Sequence, residues 1–292
     1  MPSSKHNHSR SKAHVIIVGG GTIGLSTAYF LLSEQKVQCS IVESDSPVSQ
    51  ASGWAAGELS PLSIPDAPQP FIDLSIEGLR LHRQFASKII AESGIDYNLE
   101  DIPFLRLALT PKEELSVKRN IAWYNQLGFP SWWMDTQQIA ALNPWLSTNV
   151  RGASYTMETQ LETYDFGLAL ARAGMYHGLK IRHATVTGLS KSGDKITGVE
   201  IGDDVLTGDH VVIATGPWAQ YIEPWIGYPI PIKPIKGQLL YLDTPESLPK
   251  QGVYHGTNLI LPKRGSRLIL GSTYDDSGFD REPSISIQNQ IL

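Results

Sequence analysis

The chain has 292 residues, 41% hydrophobic and 18% charged, with 26 glycines, one cysteine and a formal net charge of −5. That is the composition of about two globular domains, not of a disordered, collagenous or coiled-coil chain. The acidic balance disfavours nucleic acid, whose phosphates need an excess of Lys and Arg. The lone Cys39 can close no intrachain disulfide, which points to a reducing, cytoplasmic compartment.

Lys5, Arg10 and Lys12 stand near the start without an acid, and residues 15–33 carry no charge. A basic start before an apolar run is the outline of an export signal or a spanning helix. Gly19, Gly20, Gly21 and Gly24 break this run, so no membrane span is expected, and residues 1–13 read as a disordered tail. Val15, Ile16, Ile17 and Val18 form a short β-branched strand of the fully buried type. Ile23, Leu25, Ala28, Phe30, Leu31 and Leu32 predict a helix over 22–35, and 37–42 predicts a second strand ending at Glu43. This order fits one βαβ unit of about thirty residues.

Residues 51–70, rich in Ser, Gly, Ala and Pro, predict a long loop, and such loops are usually functional. Leu74, Leu81, Phe85 and Ile89 predict a helix over 71–92; a strand over 104–109 and a helix over 111–127 follow, the latter opened by Pro111. Trp123, Trp132, Trp133 and Trp145 crowd one stretch and suggest a separate packed unit. A helix over 164–176 comes next, then a hairpin of 180–189 with 195–201 around Ser192-Gly193-Asp194. Residues 210–214 read as a buried strand ended by Thr215-Gly216-Pro217. Further strands are expected at 238–242, 259–261 and 268–270, and a last helix over 285–292.

Gly19, Gly21 and Gly24 make a GxGxxG between the first strand and the first helix, with Glu43 about twenty residues on. The first glycine permits the tight turn, the second lets backbone approach a pyrophosphate, and the third lets helix and strand pack closely. The helix N-terminus offers N–H groups to the phosphates, and a carboxylate at Glu43 suits a ribose diol. Dinucleotide binding follows from this context, whereas a bare GxGxxG would be weak evidence.

Together with Glu43-Ser44, the loop 51–59 (ASGWAAGEL), Ala184-Thr185-Val186, 210–219 (HVVIATGPWA), Lys236-Gly237-Gln238 and Gly271-Ser272-Thr273, this turn resembles the D-amino acid oxidase family of flavoproteins. The resemblance is to the glycine oxidase and sarcosine oxidase branch in particular. The resemblance implies an α/β fold: a discontinuous Rossmann-like FAD-binding domain (14–85 and 158–226) interleaved with an α+β substrate domain (86–157 and 227–292). It implies FAD, with the pyrophosphate at Gly19, Gly21, Thr22, Ile23 and Gly24 and the ribose at Glu43 and Ser44. The flavin side falls at Ala51, Ser52, Ala56, Gly57 and Glu58, the adenine at Val186, and the remaining pyrophosphate side at Thr215 and Gly216. The family oxidises the C–N bond of a small amino acid or amine by hydride transfer to flavin, then imine hydrolysis and reoxidation by oxygen or another acceptor.

Two departures from the family stand out. A tyrosine that helps to position substrate in the glycine oxidase branch is replaced by Leu259, leaving Tyr274 as the candidate substrate contact. The family also continues beyond the equivalent of residue 292 with a segment supplying an arginine for the substrate carboxylate, so the resemblance implies a C-terminally incomplete chain. No metal-ligand spacing stands out; the scattered histidines read as ordinary surface or core residues, and Asp275-Asp276 as a solvated turn. The alternatives are a flavin dehydrogenase with a non-oxygen acceptor, a non-catalytic flavin-binding protein and an NAD-dependent dehydrogenase.

Overall fold

The computed structural model describes residues 13–244 and 249–291. Residues 1–12 of the expected tail, residues 245–248 and Leu292, the last residue of the expected final helix, lie outside them. The chain divides into two compact units, each assembled from separate stretches. One takes the chain up to Trp54, Ile89–Ile95 and Tyr164–Lys233; the other takes Ala55–Lys88, Asp96–Thr163 and the chain from Pro234 onward.

The first unit is built on a four-stranded parallel sheet in the order His210–Ile213, His14–Val18, Gln38–Glu43, Lys180–His183. Its central strands are apolar on both faces, as a parallel sheet covered on both sides requires; Ile16, Ile17 and Ile41 are fully buried. Helix Thr22–Ser33 connects the two central strands and buries Leu25, Ala28, Tyr29 and Leu32. Cys39 sits in the second strand, its thiol donating to the Ala28 carbonyl at 3.7 Å. Burial pushes that thiol up to about 11, so it behaves as a small hydrophobe. An antiparallel meander of Gly188–Ser192, Lys195–Ile201 and Asp204–Thr207 completes the unit. Val199 and Ile201 from it join Ile16, Val18 and Val42 in one apolar cluster.

The expected hairpin of 180–189 with 195–201 is corrected in its first half. Lys180–His183 pairs in parallel with Ser40 to Glu43, and only Gly188–Ser192 folds back on Lys195–Ile201. Lys180-Ile181-Arg182-His183 carries a single apolar residue, so its pattern held no information about which strand it would join.

The second unit is built on a large mixed sheet in the order Leu239–Asp243, Arg267–Gly271, Asn258–Lys263, Gly252–His255, Glu100–Ala108, Gly152–Gln160, Glu58–Leu59. Ser131–Asp135 also pairs with Gly152–Gln160. Alternate residues of a strand face opposite sides. Leu105 accordingly packs with Met134, Val150, Ala153 and Val253, and Phe104 with Leu259, Leu261 and Ile269. Helices Pro111–Gln126 and Thr136–Leu142 each begin with a reciprocal capping box, Thr110 with Glu113 and Asp135 with Gln138. Among the described residues no helix is long and apolar enough to cross a membrane.

Candidate functional site

In the first unit, strand His14–Val18 runs directly into Gly19, whose φ of +110° is open to glycine. A β-carbon at Gly19 would stand 2.4 Å from the Ala214 carbonyl oxygen, and one at Gly24 would stand 2.0 Å from the Gly19 carbonyl oxygen. These two glycines are therefore required by the fold itself. Gly21 differs: its β-carbon would meet only the Ser52 hydroxyl oxygen, at 3.2 Å. Gly21 is also the N-cap of the first helix and offers no side-chain cap, in contrast to the boxed helices of the second unit. The Ser52 hydroxyl accepts from the Thr22 N–H at 3.2 Å. The first N–H groups of a helix have no intrahelical acceptor, and together they carry a partial positive charge.

The carboxylate of Glu43 closes the other side of this turn. Its Oε2 accepts from the Gly20 N–H at 2.5 Å and its Oε1 from the Asp45 N–H at 2.8 Å. The exposed Ser44 hydroxyl lies 3.4 Å from Oε1. Behind it, the Ala184 N–H donates to the Glu43 carbonyl at 2.8 Å, and Val186 packs against the cluster containing Val18 and Val42. The third wall is the end of His210–Ile213, tied by the Ala214 N–H to the Val18 carbonyl at 2.8 Å. The hydroxyl of Thr215 is buried there with no hydrogen-bond partner, and Gly216 follows at φ +53°. An orphaned buried hydroxyl costs about 1–3 kcal/mol and is relieved by a polar ligand. A helix N-terminus without a side-chain cap at Gly21, close glycine backbone, fixed carboxylate and unpartnered hydroxyl fit the adenosine diphosphate half of FAD.

Gly19, Gly21, Thr22, Gly24, Glu43, Ser52 and Thr215 thus gather at one end of the parallel sheet. Ile23, 72% exposed, projects from the same helical turn, and Ala51 is exposed in the loop beside Ser52. Ala56, Gly57, Glu58 and Tyr274 belong to the second unit. Gly57 has φ +90°, and a β-carbon there would stand 2.1 Å from the Leu161 carbonyl oxygen. The same carbonyl accepts from the ammonium of Lys263 at 2.7 Å. Burial pushes that ammonium down to about 8. Tyr274 is exposed, next to Asp275, whose backbone pairs with Lys236.

The side chain of Glu58 enters a charged cluster that the sequence reading did not foresee. Tyr254 donates its hydroxyl to the Glu58 carboxylate, Ser63 donates at 3.1 Å, and Arg106 lies 3.8 Å away. Arg106 grips both oxygens of Glu158, the second at 3.0 Å, and sits over the rings of Tyr254 and Tyr124 at 5.4 and 5.6 Å. Glu158 is only 3% exposed. Burial first, then the charge of Glu158, pushes the Glu58 carboxyl up to about 7 against the opposing pull of Arg106. The only sequence signal for this cluster was a charge set among uncharged neighbours, in Phe104-Leu105-Arg106-Leu107 and Thr156-Met157-Glu158. Leu259, at the position expected for a tyrosine, is buried, and its cross-strand partner is Tyr254.

A parallel sheet whose first turn is a backbone cradle for a diphosphate, joined in one chain to a large mixed sheet, defines a two-part dinucleotide-binding α/β protein. Residues 14–292 match the DAO family, described as FAD dependent oxidoreductase, and the chain belongs to that family. Its cofactor is FAD, which overturns the NAD-dependent alternative. The chain is 28% identical over 273 residues to the glycine oxidase of Geobacillus kaustophilus, covering 92% of this chain and 72% of that protein. The crystal structure of glycine oxidase from Geobacillus kaustophilus superposes with a TM-score of 0.89 at 26% identity, over 95% of this chain and 76% of that one. Glycine oxidase from Bacillus cereus gives 0.87 at 27% identity, over 96% and 76%. The chain therefore spans about three quarters of the length of these proteins.

Proposed function

We propose that this chain oxidises the C–N bond of a small amino acid or secondary amine, with oxygen as the final electron acceptor. The observation that carries the reading is the glycine cradle with its unpartnered Thr215 hydroxyl, in a chain of the FAD-dependent DAO family. Similarity to glycine oxidases supports a small amino acid as substrate. When bound, FAD supplies the acceptor for a hydride leaving the carbon beside the nitrogen.

We assign the pyrophosphate to Gly19, Gly21, Thr22, Ile23 and Gly24, where backbone N–H groups and the helix N-terminus balance its charge. Thr215 and Gly216 complete that side. Glu43 and Ser44 hold the ribose, and Val186 lies against the adenine. Ala51, Ser52, Ala56, Gly57 and Glu58 form the loop along the ring system, where small side chains let backbone approach a flat edge. Tyr274 contacts the substrate. The imine left by hydride removal is hydrolysed by water.

The purified protein is expected to be yellow. Under anaerobic conditions the colour should bleach with at least one of glycine, N-methylglycine or D-alanine, and readmitted air should yield peroxide. A yellow protein that none of a broad panel of amines bleaches would overturn the reading. Bleaching without peroxide would move the electrons to a quinone or carrier instead.

A further inference from the structure

Removal of a hydride from the carbon beside a nitrogen needs the nitrogen lone pair, and an ammonium has none. Amino acids carry an ammonium at neutral pH. The proton must therefore be taken up as the substrate is engaged. Resting on the amine-oxidising reading above, we propose that Glu58 receives it. The N–H bond of the bound ammonium breaks, its electron pair stays on nitrogen as the lone pair, and the proton forms an O–H bond with the Glu58 carboxylate.

The geometry gives Glu58 both access and isolation. Its side chain is largely shielded from bulk water yet retains 11% exposure. Tyr254, from strand Gly252–His255, holds one carboxylate oxygen, and Ser63 the other at 3.1 Å. Arg106, from strand Glu100–Ala108, would clamp Glu58 as a permanent ion were it free. It is instead committed to Glu158 of strand Gly152–Gln160 by a two-pronged pair and stays 3.8 Å from Glu58. The ring of Tyr124, from helix Pro111–Gln126, lies 5.6 Å from the guanidinium. Lys263 approaches the preceding residue, its nitrogen 3.0 Å from where a Gly57 β-carbon would stand, and is engaged by Leu161.

Charge balance favours the transfer. Two carboxylates and one guanidinium leave the cluster at −1, which attracts an ammonium. Before transfer the cluster and the ammonium group sum to zero; afterwards a neutral acid faces a neutral amino group and that sum is unchanged. Burial therefore does not oppose the step, as it would oppose creating a new charge. The Glu58 carboxyl, raised to about 7 by burial and by Glu158, is matched to accepting a proton near neutral pH. The competing role is structural, with Glu58 only buttressing Tyr254.

The test uses the FAD-loaded enzyme and its Glu58→Gln and Tyr254→Phe variants. In the wild type kcat/KM should fall on the acid side with a limb near pH 7. Glu58→Gln should lower kcat/KM by roughly 10²-fold or more and lose that limb. Tyr254→Phe, which removes a donor to the carboxylate, should keep the limb but move it to higher pH. Calorimetry with 2-aminoisobutyrate, an amino acid with no hydrogen on its α-carbon, gives a readout independent of turnover. Measured in two buffers of different ionisation heat, proton release on binding should be greater at pH 6 than at pH 8 by about 0.8 proton in the wild type, because Glu58 is already protonated at the lower pH. It should not differ in Glu58→Gln. Amine oxidation with the acid limb and the pH-dependent proton release intact in Glu58→Gln would overturn Glu58 as acceptor while leaving the proposed function standing. A wild type that oxidises no amine would overturn both. Should Glu58→Gln fail to fold, an unmoved limb in Tyr254→Phe decides against the proposal.

Discussion

The space that a side chain at residue 24 would need is filled by the Gly19 carbonyl oxygen, 2.0 Å from the ideal β-carbon. That neighbour is backbone and cannot rotate away. Gly24→Ala should therefore cost about 1–3 kcal/mol of stability and strip the cofactor, seen as a lower Tm and a colourless protein. Gly21→Ala meets only the Ser52 hydroxyl, at 3.2 Å, so it should keep the Tm of the cofactor-free protein and lose flavin content alone. Equal loss of stability in both variants would refute this division between a structural and a binding glycine. Lys263 makes a separate prediction. Burial lowers its ammonium from 10.5 to about 8, so between those values the unfolded chain holds more protons than the folded one. Stability should then rise with pH from about 8 to 10.5, because the penalty of a buried charge is relieved first in the folded state. Urea melts of Lys263→Met should lack this part of the slope, and an identical slope in the variant would contradict the assignment.

Arg106 and Glu158 join adjacent strands of the second unit inside the sheet, with Glu158 3% exposed. Removing one member of a buried pair leaves the other charged without a partner, which costs about 3–5 kcal/mol, whereas replacing both by apolar residues is often close to neutral. Arg106→Met is accordingly expected to be severely destabilising, and Arg106→Met with Glu158→Leu to recover most of the loss in denaturant melts. A single variant within about 0.5 kcal/mol of wild type would mean that the pair is effectively solvated. The same strands mark the limit of the sequence reading. Gly152–Gln160 was not anticipated because Ser154, Thr156, Glu158, Thr159 and Gln160 are all buried there, and polar residues satisfied by partners erase the apolar alternation that signals a strand. By contrast, 15–18 and the helix after Gly21 were legible because β-branching, glycine spacing and helical periodicity agreed in one short stretch.

For the whole molecule, the legible part was the part with local causes. The Gly19–Gly24 turn, Glu43 and Thr215 stand far apart in sequence, yet each was recognisable because it ends a strand at a residue type that the chemistry requires. The cluster of Glu58, Arg106, Glu158 and Tyr254 has no local cause. Its members come from four strands, and their contacts span up to 196 positions along the chain. Interleaving has an energetic consequence as well. The first unit is completed only when Tyr164–Lys233 returns to pair with strands formed near the start, so its sheet consists of long-range pairings whose loop-closure entropy opposes folding. FAD held by the turn, Glu43, Val186 and Thr215 would bridge early and late stretches of this one unit. Binding to the folded state alone stabilises it by RT ln(1 + [L]/Kd), about 2.7 kcal/mol at a hundredfold excess over Kd. Adding FAD to the cofactor-free protein should therefore raise Tm in a concentration-dependent way. Amide exchange should slow in residues 15–25, 38–43 and 210–216 together. Protection confined to 15–25 would mean that the later stretch contributes nothing to holding the cofactor.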